Sequence, residues 1–459
     1  MTNAIRLDIR PSETILAISS IWCCCIFLAG FLNSIPANGA KIHEQVAAKT
    51  TDAYPELLAL YQHLHAHPEL SFQEEQTAAR LISELTQHGF KITPNIGGHG
   101  FVALLQNGPG PTILLRTDLD ALPLVEETGL SYASKVRVMN EFGAEVGVMH
   151  ACGHDIHMTV FTGTARLLAE LKSEWSGTLV MIGQPAEEKG AGAKAMLEDG
   201  LFQRFPKPDY CLALHVNAGM PAGTVGYVPG YALANVESVN IVLRGIGGHG
   251  AWPHTTKDPI VLAAQTVMVL QTIVSREIPP TEAAVVTVGS IHGGTKHNII
   301  PNEVKLQLTL RSYSDEVRTQ TLRSIRRIVR GLAQAAGVPE DRLPIIETSD
   351  QYTPSTYNDP KLVERLAKVF KTTFGEEHCR QMDPVMGGED FGRYGRTEDK
   401  IPICIFWLGS VSQAILDEAA QKAESPPSLH SSRYYPLPEP TIQTGVRAMT
   451  HAALELLKR

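Results

Sequence analysis

Cysteine is too sparse and too irregularly placed in this chain to staple a fold. Of the seven, Cys23, Cys24 and Cys25 sit side by side in an apolar N-terminal run, and Cys152, Cys211, Cys379 and Cys404 are scattered through the body. A disulfide framework needs even numbers at regular spacing, so that class is excluded. Positive charge is also in deficit: 40 Lys+Arg face 48 Asp+Glu, a formal net charge of -8. Without a basic excess there is no electrostatic footprint for nucleic acid, and none is expected as a partner. No internal repeat or low-complexity tract interrupts the chain. The 38 Gly and 29 Pro among 459 residues are far from a collagen-like or disordered composition. What remains, 43% hydrophobic and 19% charged, is a globular chain long enough for two or three domains with full cores.

The one long apolar run comes first. Ile15 to Leu32 is broken only by Ser19 and Ser20, follows Arg6 and Arg10, and leads into Ser34-Ile35-Pro36-Ala37-Asn38-Gly39-Ala40. A basic start, an apolar stretch and a small-residue exit predict export, to the periplasm or the extracellular side. The stretch is also long enough to span a bilayer once. Residues 1–40 are therefore read as an export signal or a membrane anchor, with residues 15–32 as the tether.

From about residue 50 the pattern alternates. Glu74 to His88 places Ala78, Leu81, Ile82 and Leu85 at helical spacing. Apolar runs at 101–105, 112–115, 178–182, 210–214 and 403–407 alternate with helical stretches such as His157 to Leu171. Strands apolar on both faces, alternating with helices, predict an α/β layer around a buried, mostly parallel sheet. Between 235 and 350 the order changes to strand Val236–Arg244, helix Asp258–Arg276, strands Ala283–Ile291 and Val304–Arg311, helix Asp315–Ala336 and strand Leu343–Glu347. That β-α-β-β-α-β order predicts a split βαβ, ferredoxin-like module. It is read as an insertion that leaves residues 50–234 and 351–459 as two parts of one catalytic domain.

The densest chemistry lies in Met149-His-Ala-Cys-Gly-His-Asp-Ile-His157. Read as an extended segment, it turns His150, Cys152 and His154 to one face. A lone histidine is usually a satisfied structural residue, but three with a thiol in so short a stretch point to a divalent metal. Gly183-Gln-Pro-Ala-Glu-Glu188 follows an apolar strand, at the kind of strand end where open α/β sheets hold their ligands. Of two adjacent carboxylates, one can ligate an ion while the other moves a proton. Asp118, Asp120 and His215 stand at further strand ends and converge on the same sheet edge, although each alone reads equally well as a turn residue. His430 alone reads as an ordinary loop histidine. In the inserted module, Gly245 to His254 is glycine-dense and carries His249 and His254, so backbone and imidazole can approach a ligand closely. The G-x-G-x-x-G spacing of a dinucleotide site is missing. Asn298 and Arg311 lie near strand ends, and an arginine there either captures a carboxylate or is simply exposed.

In combination, and in this order, several stretches resemble the amidohydrolase branch of the M20 metallopeptidase superfamily, which contains hippurate hydrolases, N-acyl-amino-acid amidohydrolases and auxin-conjugate hydrolases. They are His65-Ala-His-Pro-Glu69, Arg116-Thr-Asp-Leu-Asp-Ala-Leu-Pro123, the His150–His157 cluster, Gln184-Pro-Ala-Glu-Glu188, Gly248-His-Gly-Ala-Trp-Pro-His254 with Asp258-Pro259, and Gly387-Gly-Glu-Asp-Phe391. The resemblance runs from about His63 to the C-terminus. It implies metal-dependent hydrolysis of an N-acyl amino acid to a carboxylic acid and a free amino acid. It implies two divalent ions per subunit, held by Cys152, His154, Glu188, His215 and His430. Glu187 would then be the general base and acid, and Asp118 would orient a ligand histidine. Thiolate and imidazole lean toward zinc, while carboxylate ligation admits manganese, nickel or cobalt. In the sister peptidases a ligand histidine precedes that aspartate by two residues; here Arg116 takes its place. The inserted module resembles a lid and dimerisation domain, which implies a homodimer. His249, from its own or the partner subunit, would stabilise the oxyanion, and Asn298 and Arg311 would hold the substrate carboxylate. The competing readings are a dipeptidase or aminopeptidase of the same fold, a thiol amidase with Cys152 as nucleophile, and a binding protein that kept the fold without the activity.

Overall fold

Strands that are apolar on both faces need cover on both faces, and the main sheet is built that way. The computed structural model describes residues 37–349 and 352–458, so the apolar run at 15–32 lies outside the described residues. In chain order the main strands are β1 (Lys91–Pro94), β2 (Phe101–Asn107), β3 (Thr112–Asp118), β4 (Gly177–Gln184), β5 (Tyr210–Pro221) and β6 (Val225–Tyr227). Then come β7 (Glu237–Arg244), β8 (Ala284–Gly293), β9 (Glu303–Ser312), β10 (Ile345–Thr348), β11 (Cys379–Gln381) and β12 (Ile403–Val411). Eight of them form one sheet in the order β1-β2-β4-β3-β5-β12-β6-β11. The four at its centre, β4, β3, β5 and β12, run parallel. On one side β1 and β2 continue the sheet antiparallel; on the other β6 is antiparallel to β12 and parallel to β11.

On one face Val102, Leu114, Val180, Ile182, Cys211 and Ala213 share a core with Phe391 and Tyr394. On the other, Leu115, Met181 and Leu214 meet Val160, Phe161 and Met449. Those last three belong to helices α3 (His154–Glu170) and α7 (Pro438–Leu456), which lie against each other beneath the sheet. Gly163 allows that approach: a Cβ there would stand 2.7 Å from the Val446 side chain and 3.0 Å from Leu57. Leu57 is on α1 (Ala37–Ala66), and α2 (Glu75–Gln87) follows it.

The second sheet draws all its strands from residues 237–348, in the order β8-β9-β7-β10 with every neighbour antiparallel. In β9, Val304, Leu306, Leu308 and Leu310 are buried while the residues between them face outward. Helices α4 (Pro259–Thr272) and α5 (Asp315–Ala335) cover the buried face. Each has a side-chain cap: Asp258 accepts from the Ile260 N–H, and Ser314 from the Val317 N–H. The chain passes into and out of this sheet through Val236 and Thr353, which are bridged to each other. A further helix, α6 (Pro360–Phe374), returns the chain to the main sheet.

A buried ion cluster ties α1 to α3. His65, 1% exposed, sets Nδ1 2.6 Å from Asp155 Oδ2 and Nε2 3.0 Å from Glu126 Oε1. Burial acts to discharge the ring, but its bonds to Asp155 and Glu126 outweigh that and push its pKa up to about 9. Removing the imidazole strands two buried carboxylates, so His65→Ala should lower the unfolding free energy by about 3 kcal/mol or more. Because the folded value lies above the free imidazole's 6.5, this stabilisation is complete below 6.5 and is lost as pH rises through about 9. Chemical denaturation of both proteins at pH 6 and pH 10 checks this. The gap between them should be wide at pH 6 and narrow at pH 10.

Candidate active site

The polar cluster gathers at one edge of the main sheet. β3 ends on Asp118, and β4 runs directly into Pro185-Ala186-Glu187-Glu188. His215 lies inside β5 rather than at its end, because β5 stays paired with β12 as far as Pro221. Pairing with β3 stops at Leu212, so His215 stands beyond the last rung on that side. The cysteine–histidine stretch is not extended. Gly153, at φ +77°, takes the left-handed turn that glycine permits, and α3 opens at His154, three residues before the helix expected from the sequence. The turn brings Cys152 and His154 to the cluster but not His150, which is buried elsewhere with both ring nitrogens unpartnered.

Donor atoms from distant parts of the chain meet here. Cys152 Sγ lies 3.5 Å from His215 Nε2 and 3.3 Å from His430 Nε2. His430 Nε2 is 3.5 Å from Glu188 Oε2, and His154 Nε2 is 3.8 Å from Glu187 Oε2 and 4.0 Å from Glu188 Oε1. Cys152 belongs both to the group with His154 and His215 and to the group with Glu188 and His430. Ligands sharing a tetrahedral ion, at Zn–S near ~2.3 Å and Zn–N near ~2.0 Å, stand roughly 3.5 Å apart, which is the spacing seen.

The hydrogen bonds sort ligands from supports. His154 Nδ1 donates to the Asp120 carbonyl at 2.8 Å, and His215 Nδ1 donates to the Val216 carbonyl at 2.8 Å. Each ring therefore turns a bare Nε2 into the cluster. His154 Nε2 and Glu188 Oε1 are buried with no hydrogen-bond partner, as suits atoms that await a cation. His157 is different. Its Nδ1 meets Asp118 Oδ1 at 2.8 Å and its Nε2 accepts the Val216 N–H at 2.9 Å, leaving nothing to ligate with. Asp118 therefore does not bond a ligand imidazole, as the resemblance implied. It holds His157, while the backbone carbonyl of Asp120 orients His154, whose Nε2 is 3.7 Å from Asp118 Oδ2.

Beneath the cluster is a buried arginine. Arg116 reaches Asp118 Oδ2 at 2.7 Å, Glu389 Oε1 at 2.9 Å, Asp390 Oδ1 at 3.3 Å and Gln184 Oε1 at 3.1 Å. Sequence reasoning gave no role to Glu389 or Asp390. The one signal was their place in Gly387-Gly-Glu-Asp-Phe391. Burial, then the nearby carboxylates of Glu389 and Glu188, pushes the Glu187 carboxyl well above its ordinary range. Burial followed by Glu188 and Glu187 likewise pushes the Cys152 thiol up. A thiol held neutral in this way is a poor nucleophile until a cation draws off its proton.

The cluster opens into a cavity of about 390 Å³ lined by Cys152, Glu187, Glu188, His215, His430 and Glu389, and also by Arg311 from β9. Arg311 donates only to the Leu310 carbonyl, at 3.3 Å, and makes no ion pair among the described residues. His249 and Asn298 are not among the lining residues. They sit together on a small ribbon, Gly248–His249 against Ile299–Ile300, exposed beside Trp252.

Residues 114–453 match the profile described as peptidase family M20/M25/M40. The chain belongs to this family. Hippurate hydrolase of Campylobacter jejuni is 37% identical over 346 residues, covering 74% of this chain and 85% of that one. Thermostable carboxypeptidase 1 of Saccharolobus solfataricus is 33% identical over 358 residues, covering 77% and 86%. Among solved structures, the Bacillus subtilis YXEP protein, a dinuclear metal-binding peptidase of the M20 family, superposes with a TM-score of 0.71 at 28% identity, covering 89% of this chain and 99% of that one. This M20 chain is thus a metal-binding hydrolase acting on amide bonds.

Because Cys152 is common to two donor groups and His430 to one, their losses should differ. By elemental mass spectrometry after reconstitution, Cys152→Ala should hold less than one ion per chain, whereas His430→Ala should lose one ion and keep the other. Two ions retained in Cys152→Ala would show that the thiol is not shared.

Proposed function

We propose that the protein hydrolyses N-acyl amino acids of the hippurate type, releasing a carboxylic acid and a free amino acid. The observation that carries this reading is an unpaired arginine, Arg311, in the same cavity as the Glu187/Glu188 pair. An amide substrate ending in a free carboxylate would dock that group on the guanidinium, which suits planar bidentate pairing. Its scissile carbonyl would then lie toward the carboxylate pair.

Cys152, His154, Glu188, His215 and His430 would hold two divalent ions, with zinc favoured by sulfur and imidazole and manganese, nickel or cobalt also accommodated. Such ions supply Lewis acidity, polarising the amide carbonyl and easing the ionisation of water. Glu187 does the proton work. Its raised affinity for a proton lets it take one from the attacking water and pass it to the departing amine nitrogen. Asp118 keeps His157 in one tautomer, and through the Val216 N–H that ring fixes the backbone beside His215.

The same reading assigns the oxyanion contact to His249 and a share of the carboxylate to Asn298. Since both lie outside the cavity of their own chain, it gives them to the partner's cavity in a homodimer. Residues 1–40 complete the reading as an export signal or an anchor. The carboxypeptidase relative keeps peptide cleavage as the second reading, and Arg311 would serve a C-terminal carboxylate equally well.

Three measurements test the proposal. Against N-acetyl, N-benzoyl and indoleacetyl amino acids and dipeptides, the metal-loaded enzyme should prefer the acyl amino acids and lose activity in a chelator. A preference for dipeptides favours the second reading, and chelator-resistant turnover favours a thiol enzyme. Glu187→Gln should lower kcat by about 10²–10⁴-fold with bound metal unchanged. Arg311→Ala should raise KM for N-benzoylglycine about tenfold or more while sparing N-benzoylglycinamide, which has no carboxylate to pair.

A further inference from the structure

We infer that Glu74 is a positioning residue: with Asp120 it clamps three consecutive backbone amides and thereby sets where Glu187 and Glu188 point. The proposal rests on the roles given above to those two glutamates.

Glu74 immediately precedes α2, where an acidic side chain would ordinarily cap its own helix. It makes no such bond. Glu69 does that work instead, accepting from the Gln76 N–H at 3.1 Å and the Thr77 N–H at 2.8 Å. The Glu74 side chain, fully buried, turns away from α2. Its Oε1 accepts from the Phe72 N–H and, from far along the chain, from the Ala186 N–H, both at 2.8 Å. The next two amides go to the second carboxylate. Asp120 Oδ1 takes the Glu187 N–H at 3.1 Å and Oδ2 takes the Glu188 N–H at 3.0 Å.

Three successive N–H groups thus converge on two carboxyl groups of the protein itself, in the manner of an anion-binding nest. The geometry requires left-handed backbone at Ala186, φ +49°, which an alanine keeps only when its surroundings enforce it. Behind it, the Ala186 carbonyl accepts from the Ala191 and Gly192 N–H groups at 3.2 and 3.1 Å, so the loop is held on both sides. Ser71 Oγ, three residues before Glu74 in the same segment, donates to Asp120 Oδ2 at 2.6 Å. The Asp120 carbonyl, in turn, orients His154. The segment 71–74 therefore bears on the acid–base glutamate, a ligand glutamate and a ligand histidine without entering the cavity.

The acceptor atom is the point at issue, so the variants are chosen to separate it from bulk and fold. Glu74→Ala removes it, whereas Glu74→Gln keeps an oxygen able to accept the same two bonds. Zinc is titrated calorimetrically into metal-stripped protein, and kcat and KM are measured on N-benzoylglycine. Glu74→Ala should bind zinc about tenfold more weakly, as loss of a support behind a ligand does. It should lose about 10²-fold in kcat with KM within about threefold, as misplacement of an acid–base group by an ångström does. Glu74→Gln should stay within about threefold of wild type in all three quantities, a rescue that a role through net charge would not predict, whereas Glu74→Met, which keeps the bulk without an acceptor, should fail like Glu74→Ala. If melting shows that Glu74→Ala does not fold, Ser71→Ala decides. It should melt like wild type yet lose about three- to tenfold in kcat, having dropped a single charge-assisted bond to Asp120. Wild-type zinc affinity and kcat in Glu74→Ala, equal damage in the Gln and Ala variants, or an unaltered Ser71→Ala would each overturn the clamp. If the wild type leaves N-benzoylglycine intact, the substrate reading fails on its own, and the zinc titrations still decide the clamp.

Discussion

The Arg116 guanidinium is the charge on which the site depends. Asp118, Glu187, Glu389 and Asp390 gather in a space almost without solvent, and carboxylates packed so closely would take up protons or force the loops apart. One fully buried arginine, bonded to Asp118, Glu389 and Asp390, lets that arrangement exist before any divalent ion arrives. Its planar fork is suited to this, because a guanidinium serves several oxygens at fixed angles and stays charged when buried. The compensation is partial by design. Arg116 makes no bond to Glu187, which is left with a raised proton affinity, or to Glu188, which is left with an unpartnered oxygen.

This division explains why the polar cluster is arranged in layers. Nearest the sheet, Arg116, Gln184 and Asp390 satisfy one another, and the Tyr394 hydroxyl adds a bond to Gln184. Above them, Asp118, Asp120, His157 and Glu74 spend their acceptors and donors on backbone amides, imidazoles and Arg116. Cys152, His154, Glu188, His215 and His430 keep donor atoms turned into the cluster. A cation would meet groups that are already oriented, so little ordering is left to be done on binding.

Much of the fold and the site was legible in the sequence, and the misses share one cause. Apolar runs bounded by glycine, proline or charge gave the strands of both sheets, because each run must bury two faces, or alternate ones, to be stable. The order of strands and helices between 235 and 350 gave the antiparallel second sheet for the same reason. The error at His150–His157 came from assuming period-two geometry through a segment where Gly153 reverses the backbone and opens a helix. The resemblance implied that Asp118 orients a ligand histidine, but the ring it bonds is His157, whose two nitrogens are both occupied. Glu74 was invisible because an acidic residue before a helix has an ordinary explanation. Only the geometry shows that Glu69 already caps that helix.

The inserted module is where sequence and a single chain part company. Arg311 reaches the cavity because β9 runs from the outer end of the module back toward the neck at Val236 and Thr353. His249 and Asn298 lie on a ribbon elsewhere in the same module, and no local rearrangement of that ribbon follows from its hydrogen bonds. Gly250 donates to the Asn298 carbonyl and Ala251 to His249 Nδ1, so the ribbon is self-satisfied and presents its side chains outward. His249 and Asn298 are exposed and do not line the cavity of their own chain. On the proposed reading the oxyanion contact of His249 would come from a second copy, and turnover would then depend on assembly.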